Sequence, residues 1–132
     1  MGTWDVGPFD NDTAADFSGS LDEAAEGERE TLIRTALARA ADTPGYLDQD
    51  IAAEAIAAAA LVAAQRPGSE PVTTPYGPDL PLPELPADLR GLAVRALDRV
   101  VTEPSELMEL WEESEESGPW RAGVSQLRSV LL

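Results

Sequence analysis

Apolar and polar positions alternate along most of this chain with the period of an α-helix. A first short helix is expected to begin after Asn11 or Asp12 and to end near Gly19. Asn and Asp favour the position before a helix, and Thr13 with Asp16 has the spacing of a capping box. A second helix is predicted over about Glu26 to Ala41, where Leu32, Ile33, Ala36, Leu37 and Ala40 share one face. Glu30 and Arg34 stand four residues apart on its outer side. The turn Thr43-Pro44-Gly45 ends it.

A third helix is predicted from about Gln49 to Gln65, capped by Asp48 or Asp50. It is apolar on nearly every side, with Asp50 and Glu54 marking one wet stripe, so it belongs at the centre of a bundle. Its many alanines would let neighbouring helices come close. Residues Pro67 to Pro86 then hold seven of the eleven prolines. Such a segment is neither helix nor central strand. Tyr76, Leu80, Leu82 and Leu85 are its anchors, and an ordered crossover on the bundle surface is expected.

A fourth helix is expected from about Ala87 to Thr102, with Leu89, Leu92, Ala93, Ala96, Leu97 and Val100 buried. Ser105 is placed as the cap of a fifth helix reaching about Glu116, with Leu107, Leu110 and Trp111 inward. Gly118-Pro119 is expected to break the chain. The last helix puts Trp120, Val124, Leu127 and Leu131 on one face. No segment alternates like a strand and no whole unit repeats. The prediction is an all-α, single-domain helical bundle of about five to six helices spanning 1–132, with a docked N-terminal segment (1–10) and a proline-rich crossover loop (67–86).

Composition narrows the chemistry. The chain has 132 residues, 43% of them hydrophobic, enough for one real core. Neither cysteine nor histidine occurs, which excludes disulfides, thiol catalysis, zinc fingers and imidazole-based triads. All nine positive residues are arginine, so Schiff-base chemistry on lysine is excluded as well. Arginine without lysine, together with many alanines, suggests a GC-rich bacterial coding bias. The formal net charge is −16, and such a field repels nucleic acid and anionic membranes while attracting a basic partner or a cation. Simple solubility would account for the same charge. The start has no basic and apolar signal-peptide regions, and Val6 stands where a myristoylation motif needs Ser or Thr. The run Ile51 to Ala64 is short for a membrane span and carries Glu54. A cytoplasmic location is expected.

Four groups carry candidate chemistry. Asp10, Asn11, Asp12 and Asp16 offer oxygen ligands, with Asp12 and Asp16 on one helical face. Magnesium, calcium or manganese is the only metal type such a set would take. The spacing is not an EF-hand, since Ala14 and Ala15 stand at key loop positions. N-capping and dipole compensation explain the same residues, with Trp4 and Phe9 as anchors. Second, Glu106, Glu109, Glu113 and Glu116 recur at three- and four-residue steps and would form an acidic stripe for a basic protein, or a plain solvated face. Third, Arg90, Arg95 and Arg99 would hold a phosphate, or pair with Glu103 or with carboxylates of the first or fifth helix. Fourth, Trp4, Trp111 and Trp120 would line a pocket or close the ends of the bundle together. The glycines Gly2, Gly7 and Gly19 make no phosphate loop.

The opening Gly2-x-Trp4-x-x-Gly7-x-Phe9-Asp10-Asn11-Asp12-x-Ala14-x-Asp16 resembles a bacterial family catalogued as a domain of unknown function, number four-two-five-nine. Its members begin Gly-x-Trp-Gly-x-Gly-x-Phe-Asp/Glu-Asn-Asp. The alanine-rich third helix is similar too, as is Ser105-Glu106-Leu107-Met108-Glu109-Leu110-Trp111 followed by Trp120. Asp5 departs from the pattern, replacing the glycine after Trp4. The resemblance implies a small single-domain cytoplasmic protein and carries over no catalytic residue. Three functions are therefore weighed. One is a non-enzymatic interaction protein, immunity- or inhibitor-like, that binds a basic partner through Trp4–Asp16 and the glutamate stripe. Another is a magnesium- or manganese-dependent hydrolase using Asp10, Asp12 and Asp16 with an arginine such as Arg95. The third is an oligomeric structural protein, which leaves monomer and homodimer open.

Overall fold

The computed structural model of the chain describes residues 7–9, 11–66 and 85–132, the Glu26 side chain excepted. Trp4, Asp10 and nearly all of the proline-rich segment lie outside the described residues. The rest forms α1 (Asp12–Glu23), α2 (Glu26–Ala41), α3 (Gln49–Ala64), α4 (Asp88–Val100), α5 (Glu106–Glu112) and α6 (Ser117–Leu131). The fold is an all-α single-domain bundle of six helices, with no strand among the described residues.

Helix α3 is the hub. It packs against α1, α2, α4, α5 and α6. Its residues Ala52, Ala53 and the whole run Ala55 to Ala63 are buried, while Ile51 and Glu54 are only partly covered. Alanine contributes little area per residue, so its role here is to let four-carbon and aromatic side chains from the neighbours reach close to the α3 backbone. Those neighbours include Leu21 on α1, Ile33 and Leu37 on α2, and Leu89, Leu97 and Val100 on α4, all fully buried.

Three boundaries differ from the sequence-based expectation. Helix α1 runs past Gly19 to Glu23. Ala14, Phe17, Ser18 and Leu21 form one buried face, and the burial of Leu21 holds the extra turn through an otherwise permissive glycine. Helix α5 ends at Glu112 rather than near Glu116. Glutamates crowded at a helix C-terminus face the negative end of its dipole, whereas the same Glu115 and Glu116 are favourable just before α6. The Ser114 hydroxyl accepts a hydrogen bond from the Glu116 amide (3.0 Å) and turns the chain between the two helices. Gly118-Pro119 does not precede the last helix but lies in its first turn. Pro119 fits there because amides of a first turn have no carbonyl partner within the helix.

The α5–α6 corner is closed by Trp111 and Trp120, whose rings stack 6.0 Å apart at 11°. Trp120 is buried and Trp111 half-buried, so this pair packs the junction of α5 and α6, while Trp4 lies outside the described residues. Among the described residues, no helix is long and apolar enough to cross a membrane.

Candidate functional site: an acidic end built on helix N-termini

Three helices begin at one end of the bundle, and α3 joins them. On α1, Asn11 occupies the cap position and its side-chain oxygen accepts from the Ala14 amide (2.8 Å). On α3, Asp48 takes the cap and accepts from the Asp50 amide (2.8 Å). Asp50 in turn accepts from the Thr13 hydroxyl (3.0 Å), tying the start of α3 to the start of α1. From the other side, the Glu106 carboxylate accepts from the Gln49 amide (2.9 Å). The first turn of α5 thus completes the cap of α3. Asp48 and Glu106 each meet an amide that no helical carbonyl can serve, and the three positive dipole ends lower the cost of gathering negative charge.

The connection between α2 and α3 runs alongside. The Leu47 amide donates to the Pro104 carbonyl (3.1 Å) and the Leu47 carbonyl accepts from the Glu106 amide (2.9 Å). This short parallel bridge buries Leu47 completely and turns Tyr46 outward, 56% exposed. The Tyr46 phenol lies within the fields of Glu106 and Glu109 on α5. Loss of hydration, then the negative fields of Glu109 and Glu106, push its phenol above the usual value. Tyr46 was not among the sequence-based candidates. The only signal was an aromatic following Pro44-Gly45, two residues before the capping Asp48, with Leu47 beside it as the better core residue.

Arg99 locks both connections in place. Its guanidinium donates to the carbonyls of Thr43 (3.2 Å), Thr102 (2.8 Å) and Pro104 (3.1 Å), and to that of Gly45. The expected pairing of the α4 arginines with Glu103 or with carboxylates of α1 or α5 is not what the fold adopts. Arg95 pairs with Asp42 just after α2 (3.0 Å), and Arg90 donates to the carbonyls of Leu131 and Leu132 at the end of α6 (both 3.3 Å). Terminal carbonyls lack helical partners and sit at the negative dipole end, so they compete well for guanidinium donors. Five of the remaining arginines follow the same two patterns, and Arg39 is exposed on the last turn of α2. Arg34, Arg121 and Arg128 pair with Asp88, Glu112 and Asp98, whereas Arg29 and Arg66 donate to carbonyls ending α1 and α6.

The sequence-derived acidic sets are therefore rearranged. Asp12 and Asp16 are exposed on α1, as expected of one helical face. Asp10 lies outside the described residues, and among the described residues no group of three or more His, Cys, Asp or Glu side chains gathers for a metal ion. Phe9 is buried in the core at 5% exposure, an anchor rather than a surface available to a partner. The glutamate stripe is not one helix face: Glu106 and Glu109 lie on α5, Glu113 follows its last residue, and Glu116 precedes α6. Of the four, Glu106 is committed to the α3 cap, and Glu109, Glu113 and Glu116 are exposed. Ser105 holds the cap position of α5 but makes no side-chain capping bond, and its hydroxyl is buried without a partner.

A compact acidic helical bundle is the class that this fold and surface define. A family model described as "Domain of unknown function (DUF4259)" matches residues 2–123, and the chain belongs to that family. Searches of curated proteins and of solved structures find no match to it.

Proposed function

We propose that this protein is a non-enzymatic interaction module, immunity- or inhibitor-like, that binds a basic partner at the acidic end. One observation carries the reading. Two acidic segments far apart in sequence, Asn11–Asp16 and Glu106–Glu109, meet across the N-terminus of α3 through the Thr13–Asp50 and Gln49–Glu106 hydrogen bonds. Beside them Arg95 is engaged by Asp42 and Arg99 by backbone carbonyls, so neither neutralises the acids of α1 and α5. Exposed Tyr46 adds an amphipathic ring suited to an arginine or lysine of the partner. Complementary charge would speed encounter and select against acidic competitors.

The test uses a labelled arginine-rich peptide as probe, with affinity read by fluorescence anisotropy at several salt concentrations. The double variant Asp12→Asn with Glu109→Gln neutralises the acidic end. Glu23→Gln with Glu28→Gln removes the same charge where α1 meets α2. At about 0.2–1 kcal/mol per exposed pair, the first variant should bind about 2- to 30-fold more weakly than wild type. The second should lose much less. Equal losses would overturn the location of the surface, and salt-independent or absent binding would overturn the function itself.

A further inference from the structure

No further inference is drawn: the strongest candidate, the open groove between the start of α4 and the end of α6 lined by Ala87, Arg90, Gly91, Val94, Leu131 and Leu132, is an unpartnered face and nothing in the structure shows what covers it.

Discussion

Arg99 and Glu54 show how single side chains set the stability of this bundle. Arg99 gathers carbonyls from the α2–α3 and α4–α5 connections with one planar fork, a geometry that an ammonium does not reproduce. Arg99→Ala should therefore destabilise by about 1–3 kcal/mol, a fall of several degrees in a thermal melt, and Arg99→Lys should recover less than half of it. Full recovery by lysine would mean that charge alone holds the loops. Glu54 acts in the opposite sense. Burial pushes its carboxyl up, Asp50 adds to the rise, and Arg39 opposes it. The folded state thus holds the Glu54 proton more tightly than the unfolded chain does. Its charged form costs stability at neutral pH, and the cost is relieved as pH falls from the raised folded value into the ordinary carboxylate range. Glu54→Gln should raise the melting temperature at pH 7, with the gain disappearing as the pH is lowered. A gain that is constant with pH would show that packing, not ionisation, is responsible.

At the scale of elements, α3 is decisive. Ala57, Ala58 and Ala59 are fully buried, on a helix in contact with every other helix. Enlarging one of them forces a neighbour from its rotamer or shifts a helix. Ala58→Leu should cost about 1–3 kcal/mol despite adding apolar area, measurable as a lower midpoint in urea. A neutral or stabilising result would show a void beside α3 that the close packing denies. Helix α3 was legible in the sequence because no other segment is apolar on nearly all sides. The α5–α6 region was not. There the local pattern carries the fifth helix to about Glu116 and breaks the chain at Gly118-Pro119, while the stacking of Trp111 on Trp120 and the dipole cost of glutamates at a C-terminus end it at Glu112.

For the whole molecule, charge is the dominant variable. The chain carries a formal −16, and its ion pairs, such as Arg95 with Asp42, are largely exposed and contribute little each. Mutual repulsion of carboxylates is the larger effect, and it is screened by salt. Raising sodium chloride from about 0.01 M to about 0.5 M, which shortens the screening length from about 30 Å to a few ångströms, should raise the melting temperature. A falling melting temperature would mean that the ion pairs outweigh the repulsion. The acidic end should take part in that response, because acids of α1, α3 and α5 meet there and the capping amides only partly neutralise them.

The sequence by itself determined the helices, their buried faces and the central position of α3. Those depend on interactions within a few residues and on the simple need to cover apolar surface. It also determined what chemistry is unavailable, since absent side chains stay absent in any fold. Only the tertiary structure decided which acids meet. Asp12 and Glu109 belong to separate helices, and no local pattern says that Thr13 reaches Asp50 or that Glu106 caps Gln49. The same holds for the arginines, whose choice between a carboxylate and a terminal carbonyl depends on where helix ends fall in space. Helix periodicity is short-ranged, whereas the gathering of charge at one end depends on how three helix N-termini pack together.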